Sequence, residues 1–133
     1  MSSKQPIVFD IDGTLTTERY NYFNIKTVTP HKSRVLAALQ HQSERPLIIS
    51  TARSESLRGD TEYWLAEQGL KPVEVYMGPE SLLPGPDYIV KYQHLLSIRQ
   101  KYGNPWVWVD DNGDNVRMLE ENGVLVIHAP STY

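Results

Sequence analysis

The chain has 133 residues, no cysteine, and 13 Lys and Arg against 16 Asp and Glu, which gives a formal net charge of −3. This length suits one domain over residues 1–133 with a core of about five strands. The balance of charge argues against the broad basic face of a dedicated nucleic-acid binder, and the absence of cysteine excludes disulfides and thiolate catalysis. No stretch has the length of a membrane span and no apolar leader core follows Met1, so we expect a soluble cytoplasmic protein that binds no membrane.

Five short apolar runs alternate with segments of helical periodicity. The runs predict strands over 7–9, 47–49, 73–76, 106–109 and 124–127, and the periodic segments predict helices over 30–43, 55–68, 87–102 and 114–122. This alternation is typical of an α/β domain in three layers, with a parallel sheet, right-handed crossovers and helices on both faces.

The pattern also predicts the environment of several side chains. Thr29 is expected to cap the first helix, with Pro30 as its first residue. Tyr63 of the second helix is expected to face the core, and Trp106 and Trp108 are expected to be buried rather than to stack on bases. The histidines have no metal-ligand spacing, so we expect them to be structural or solvated. They are His31, His41, His94 and His128.

The most informative feature is the strand over 7–9, which runs directly into Asp10 and Asp12 and then into a turn at Gly13 and Thr14. Residues two apart on a strand share one side, so both carboxylates are expected at the carboxyl end of the strand, where open α/β sheets bind ligands. Two acids held together repel each other unless a cation is present. A divalent ion would relieve this repulsion and leave one carboxylate as a nucleophile and the other as a proton carrier.

Other strands deliver reactive residues to the same edge of the sheet. Thr51 and Arg53 follow the second strand, where a hydroxyl and the backbone N–H groups of a helix start can hold a phosphate. Lys91, on the helix after the third strand, can neutralise a phosphate dianion and an attacking carboxylate. Asp110 and Asp111 end the fourth strand and add oxygen ligands of the kind that Mg²⁺ takes.

Each of these residues taken singly also has a structural interpretation. An acidic pair at a strand end can cap the next segment or favour a helix N-terminus, and a threonine there is commonly a cap. A lone helix lysine is usually solvated, and Asp87 is as well suited to capping the helix after Pro86 as to contacting a substrate. Their joint occurrence in this order favours a catalytic site.

The segment between Asp12 and Thr29 is a polar and aromatic connection. Long loops inside compact domains tend to be functional, so we interpret residues 16–28 as a short flap over the site. Arg19 and Tyr20 are its candidate substrate contacts, with the alternative that the aromatic residues pack the flap against the body of the domain.

The chain resembles the haloacid dehalogenase (HAD) superfamily of phosphohydrolases through four segments in the order that the family has them. They are VFDIDGTL, IISTAR, Lys91 within DYIVKYQ, and WVDDNGD. The resemblance covers essentially the whole chain and implies a Rossmann-like HAD fold, with the sheet order 5-4-1-2-3 and no cap domain. It also implies a phosphatase, because the dehalogenases of this superfamily lack the second Asp of the first motif.

This resemblance assigns roles to the residues. Asp10 would attack phosphorus and form an aspartyl-phosphate, while Asp12 would protonate the leaving oxygen and later take a proton from water. Thr51 and Lys91 would hold the phosphoryl oxygens. The implied magnesium ligands are Asp10, the backbone carbonyl of Asp12, Asp111 and, directly or in support, Asp110.

A narrower resemblance is to the 3'-phosphatase domain of bacteriophage-type polynucleotide kinase/phosphatase. The segment STARSE places Arg53 on a phosphate-contacting arginine, and Asp87 lies four residues before Lys91 as an Asp does there. Two features differ, since no Gly-rich kinase loop is present and Arg19 is out of register with the flap arginine of that domain. The implied substrate is a nucleic-acid 3' end or a nucleotide, with a separate kinase as a candidate partner. The alternatives are a 5'-nucleotidase for free nucleoside monophosphates and a catalytically silent phosphate-binding module.

Overall fold

The computed structural model describes residues 4–17, 28–80 and 85–130. Within these ranges five strands alternate with four α-helices, and a 3-10 turn over Glu55–Leu57 precedes the second helix. In chain order the elements are β1 (Ile7–Phe9), α1 (Lys32–Gln42), β2 (Leu47–Ser54), α2 (Arg58–Glu67), β3 (Glu74–Gly78), α3 (Asp87–Tyr102), β4 (Val107–Asp110), α4 (Gly113–Glu121) and β5 (Val126–His128). None of the helices described combines the length and the apolar composition that crossing a membrane requires.

All five strands are parallel and lie in the order β3-β2-β1-β4-β5. This order is the predicted 5-4-1-2-3 read from the opposite edge, so the predicted fold is confirmed. β1 is central, with Ile7 in register with Leu47 of β2 and with Val107 of β4. The carboxyl ends of β2, β1 and β4 therefore lie side by side at one edge of the sheet.

The alternation of side chains along β1 explains the three layers. Ile7 and Phe9 join the cluster of buried apolar residues that includes Trp64 of α2, whereas Val8 joins a second cluster with Leu95 of α3. Successive residues of a strand point to opposite faces of the sheet, so each face needs its own helices to bury it.

The strand β2 is irregular where it passes its neighbour β3. Ser50 pairs with Tyr76 but Ser54 pairs with Gly78, so four steps along β2 match two along β3. Such a bulge bends the strand and redirects its side chains. The predicted strand ended at residue 49 because the polar residues that follow carry no apolar signal, and the observed strand continues through Ser54.

The first helix begins later than predicted. Its N-cap is His31, whose Nδ1 accepts a hydrogen bond from the backbone N–H of Arg34, so the prediction that Thr29 caps the helix is wrong. Thr29 instead accepts a hydrogen bond from the backbone N–H of Thr17 at 2.9 Å, which holds the two ends of the predicted flap together. Residues 18–27, including Arg19 and Tyr20, lie outside the described residues.

Two predictions of burial are also wrong. The side chain of Tyr63 is 57% exposed and that of Trp106 is 38% exposed, whereas Trp108 is fully buried. Trp106 lies just before β4, and its ring is covered by the guanidinium of Arg45 at 3.7 Å from the ring centroid. A cation over an aromatic face is a favourable contact at a surface, so Trp106 is stabilised without being in the core.

β3 passes close to the bulge at Gly78, so we expect this position to tolerate only glycine. A Cβ atom at this position would lie 2.5 Å from the backbone carbonyl oxygen of Ala52, which cannot move without disturbing β2. We expect Gly78→Ala to lower the free energy of unfolding by about 2 kcal/mol or more. Gly59→Ala is the control, because a Cβ there meets open space inside α2 and should stabilise the helix by about 0.5–1 kcal/mol. Urea unfolding of both variants measures the difference, and a Gly78→Ala protein as stable as Gly59→Ala would contradict it.

Candidate active site

The turn after β1 places the first two candidate carboxylates. The backbone N–H of Asp10 donates to the carbonyl of Val109, so the chain stays beside β4 for one residue after β1 ends. Gly13 then adopts a φ of 79°, a left-handed conformation that favours glycine. The backbone N–H of Thr14 donates to the carbonyl of Ile11, and this tight turn holds both carboxylates at the edge of the sheet.

Three carboxylates converge at this edge. Oxygen atoms of Asp10, Asp110 and Asp111 lie within 4.8 Å of one another. Asp110 is fully buried, Asp10 is 6% exposed and Asp111 is half-buried. The hydroxyl of Thr14 lies 3.1 Å from Oδ2 of Asp10 and 3.4 Å from Oδ1 of Asp111, so it bridges the two strand ends. The structure thus brings Asp10 together with Asp110 and Asp111, whereas the carboxylate of Asp12 is not part of this cluster.

Lys91 lies beneath these carboxylates and is 1% exposed. Its Nζ donates to Oδ1 of Asp10 at 2.8 Å, to the carbonyl of Ser50 at 2.6 Å and to Oδ2 of Asp110 at 3.2 Å. An ammonium has three hydrogens, and these three acceptors account for them. Burial alone lowers the pKa of Lys91, but the charges and hydrogen bonds of Asp10 and Asp110 outweigh it and raise the pKa.

The environment of Asp10 acts on its pKa in both directions. Burial raises the pKa of Asp10 well above its ordinary value, the charge of Lys91 opposes this, and the charges of Asp110, Asp111 and Asp12 raise the pKa further. A carboxylate must be ionised to act as a nucleophile. Additional positive charge close to Asp10 would lower its pKa and favour the ionised form that the predicted chemistry uses.

Asp12 is held by a different cation. Its Oδ2 accepts from Nε of Arg53 at 3.0 Å and its Oδ1 accepts from an η nitrogen of Arg53 at 2.7 Å. The Arg53 side chain is fully buried, whereas that of Asp12 is 16% exposed. Burial raises the pKa of Asp12, and the charge and hydrogen bonds of Arg53 oppose it. The sequence predicted a phosphate contact for Arg53, and its described contacts include the candidate acid Asp12.

Asp110 is supported by residues that sequence reasoning missed. Its Oδ1 accepts from the backbone N–H of Asn112 at 3.0 Å, and the amide nitrogen of Asn115 lies 3.3 and 3.4 Å from its two oxygens. Asn115 is 2% exposed at the start of α4. The only signal in the sequence is that Asn115 follows Asp110 by five residues. An asparagine near the start of a helix is common, so this signal does not stand out.

The other two candidates are Thr51 of β2 and Asp87 of α3. Thr51 is fully buried, and its hydroxyl accepts from the backbone N–H of Arg53 at 3.2 Å. Asp87 is the exposed first residue of α3 and makes no side-chain cap there. Burial raises the pKa of Asp87, Lys91 lowers it and Asp110 raises it, so Asp87 faces the same cluster of charges.

A hydrogen-bonded chain of side chains lies behind Lys91. Ser50 Oγ is 2.7 Å from Nδ1 of His94, and Nε2 of His94 is 2.9 Å from the carbonyl of Met77. His94 is 6% exposed, and burial lowers its pKa to about 4, with the positive charge of Lys91 acting in the same direction. The prediction that His94 is structural fits this burial, but its partners were not predictable from the sequence.

The charges of the site fit a divalent cation. Four carboxylates face two buried cationic side chains, which leaves a formal charge of −2 over these six groups. The donors are oxygens, as Mg²⁺ prefers, and neither Cys nor His belongs to the acidic cluster. The six groups are Asp10, Asp12, Asp110, Asp111, Arg53 and Lys91.

Comparison with solved structures identifies the class of fold. A chain of the Pnkp1/Rnl/Hen1 RNA repair complex superposes with a TM-score of 0.85 at 18% identity, covering 98% of this chain and 45% of that one. A chain of a second Pnkp1/Rnl/Hen1 structure gives a TM-score of 0.87 at 19% identity, covering 100% and 48%. The HAD domain of effector protein Lem4 from Legionella pneumophila gives a TM-score of 0.62 at 13% identity, covering 97% and 86%.

These similarities show that the chain has the HAD fold, as its motifs predict. The chain spans less than half the length of the two chains from the Pnkp1/Rnl/Hen1 structures. No protein-family model and no curated protein sequence matches it. The likeness therefore establishes the fold, and the activity has to be argued from the residues of the site.

The lowered pKa of His94 makes a prediction about stability. The folded pKa of about 4 lies below the ordinary value of 6.5, so the unfolded state binds a proton first as the pH falls. Keeping His94 neutral therefore contributes to the free energy of unfolding above pH 6.5. This contribution, of up to about 3 kcal/mol, is lost as the pH falls toward 4. The advantage of the wild type over His94→Asn in free energy of unfolding should therefore shrink over this window. Urea titrations at several pH values test this, and parallel pH curves for the two proteins would contradict it.

Proposed function

We propose that this protein is a magnesium-dependent phosphomonoesterase that works through an aspartyl-phosphate and removes 3'-phosphates from nucleic-acid ends or nucleotides. The observation that carries the proposal is the convergence of Asp10, Asp110 and Asp111 above the buried ammonium of Lys91. A carboxylate cluster bound to one lysine is suited to attack on phosphorus, because the reaction needs a nucleophile and positive charge in one place.

Asp10 is the nucleophile in this mechanism. Its carboxylate oxygen forms a bond to phosphorus while the bond from phosphorus to the ester oxygen breaks. Lys91 and the hydroxyl of Thr14 hold the two oxygens of Asp10, which restricts the carboxylate to one orientation. In this mechanism the hydroxyl of Thr51 donates to a phosphoryl oxygen while it accepts the backbone N–H of Arg53.

Asp12 is the acid and then the base. Its protonated carboxyl gives a proton to the leaving oxygen, and its carboxylate later takes a proton from the water that cleaves the aspartyl-phosphate. The raised pKa of Asp12 suits the first of these tasks. Arg53 positions Asp12 through two hydrogen bonds, and a contact between Arg53 and the substrate phosphate remains part of the proposal.

The chain offers a consistent set of ligands for Mg²⁺. They are the carboxylates of Asp10 and Asp111 and the backbone carbonyl of Asp12. Asp110 supports them indirectly, since its oxygens already accept hydrogen bonds from Lys91, Asn112 and Asn115. When bound, the ion would neutralise the excess of negative charge and polarise the phosphoryl group.

The choice of substrate is argued from resemblance. The motifs resemble those of a polynucleotide 3'-phosphatase domain, and two structures with the same fold come from an RNA repair complex. A nucleic-acid end, a kinase partner and a cytoplasmic location are therefore proposals by analogy. Arg19, Tyr20 and Asp87 remain candidate substrate contacts, with Tyr20 stacking on the terminal base.

The nucleophile is tested by Asp10→Asn, which keeps the shape of the side chain and removes the attacking charge. We expect turnover to fall by at least about a thousandfold while the protein stays folded. Asp114→Asn is the matched control, because this exposed acid lies in the first turn of α4 and should retain full turnover. An Asp10→Asn protein with more than about a tenth of wild-type turnover would overturn the assignment.

The substrate is tested by a panel of phosphate esters at equal concentration, with magnesium and with excess chelator. We expect kcat/KM to be highest for 3'-phosphorylated oligonucleotides, then 3'-mononucleotides, then 5'-mononucleotides, because stacking on a base is worth about 1–3 kcal/mol. Chelator should abolish all activity. The highest kcat/KM for a 5'-mononucleotide would establish the nucleotidase alternative, and release of no phosphate from any ester would favour the silent module.

A further inference from the structure

The hydrogen bonds around His94 fix the state of its ring. The carbonyl of Met77 can only accept, so Nε2 of His94 carries the hydrogen. In the neutral ring Nδ1 is then an acceptor, and the hydroxyl of Ser50 must donate to it. Burial lowers the pKa of His94 to about 4, which is consistent with a neutral ring at physiological pH. His94 therefore links Ser50 of β2 to Met77 of β3: the hydroxyl of Ser50 donates to His94, and His94 donates to the carbonyl of Met77.

This link spans the bulge in β2. Regular pairing of β2 with β3 ends at Ser50 and Tyr76 and resumes at Ser54 and Gly78. His94 bonds to the last regular residue of β2 and to Met77, which lies opposite the bulge. A bulge interrupts the backbone ladder, so the two strands are joined here by a side chain.

The residues inside the bulge include two from the candidate site. Thr51 and Arg53 lie between Ser50 and Ser54, and Arg53 contacts the carboxylate of Asp12 from within the bulge. Bulges next to active sites commonly redirect side chains in this way. Any movement of Ser50 would be passed directly to Thr51, its neighbour in the chain.

Ser50 is also the point where α3 is attached to β2. Lys91 and His94 are three residues apart on the buried face of α3. The ammonium of Lys91 donates to the carbonyl of Ser50, and Nδ1 of His94 accepts from its hydroxyl. One serine is thus held through both its backbone and its side chain by the helix that supplies the catalytic lysine.

We propose that His94 is a positioning residue that acts through Ser50 to hold the Lys91 ammonium and the Thr51 hydroxyl in place for phosphoryl transfer. The proposal rests on the proposed function for its effect on turnover. A histidine with a purely structural role would be expected to change stability alone, because it touches neither substrate nor the carboxylates. The two interpretations differ in what happens to Lys91 and to kcat in variants that stay folded.

The test removes one hydroxyl at a time. Ser50→Ala deletes the donor to His94, and Thr61→Val is the control, because Thr61 is an equally buried residue whose hydroxyl donates to the carbonyl of Leu57, away from the bulge. Each is assayed with p-nitrophenyl phosphate and magnesium, under conditions where both remain folded. We expect Ser50→Ala to lower kcat by about tenfold with little change in KM, and Thr61→Val to leave both unchanged.

A second measurement does not depend on activity. Acetic anhydride labels accessible lysines, and mass spectrometry of the peptide that contains Lys91 gives its rate of labelling in the native protein. We expect Ser50→Ala to raise this rate by about tenfold relative to Thr61→Val, because Lys91 loses the fixed position of one acceptor. If the wild type releases no phosphate, the proposed function fails, but the labelling rate still decides whether Ser50 positions Lys91.

Two substitutions of His94 separate its two hydrogen bonds. Asn can replace Nδ1 as the acceptor for Ser50, and Gln can replace Nε2 as the donor to Met77. We expect His94→Asn to keep more of kcat and a slower labelling of Lys91 than His94→Gln, even though both are less stable than the wild type. The proposal would be overturned if Ser50→Ala and Thr61→Val had equal kcat and equal labelling of Lys91. It would also be overturned if the loss of kcat in each His94 variant simply matched its loss of stability.

Discussion

The buried ammonium of Lys91 is the interaction on which the rest of the site depends. It joins Asp10 after β1, Ser50 in β2 and Asp110 at the end of β4, and so ties the carboxyl ends of three adjacent strands to α3. A buried charge is costly unless it is fully paired, and here every hydrogen of the ammonium has an acceptor. The same cation reduces the repulsion between two carboxylates that the fold forces together.

The two aspartates of the first motif are separated chemically by their partners. Asp10 is bound to Lys91 at the bottom of the site, and Asp12 is bound to Arg53 near its opening. Different environments are how two similar carboxylates take different tasks in one active site. Arg53 contacts Asp12 from the bulged part of β2, where the regular pairing with β3 is interrupted.

The predictable part of this structure is the part encoded by short local patterns. Apolar runs followed by acids placed Asp10 and Asp110 at strand ends, and the order of the strands came from the resemblance to the HAD superfamily. What was missed depends on partners distant in the chain. His94 bonds to Ser50 across 44 residues, and Arg53 bonds to Asp12 across 41 residues. The position of Trp106 at the surface was missed for a related reason. The residue that covers its ring there is Arg45, which is distant in the chain.

The gradient of burial across the site defines how a substrate can approach. Asp110 and Lys91 are at the bottom with almost no exposure, Asp10 is slightly exposed, and Asp12 and Asp111 are more accessible. In the proposed mechanism a phosphoryl group would enter on the side of Asp12 and Asp111, with its ester oxygen toward the proposed acid. The rest of the substrate would then extend away from the sheet, so the buried residues would govern the chemistry and the residues around Asp12 would govern which phosphate ester is accepted.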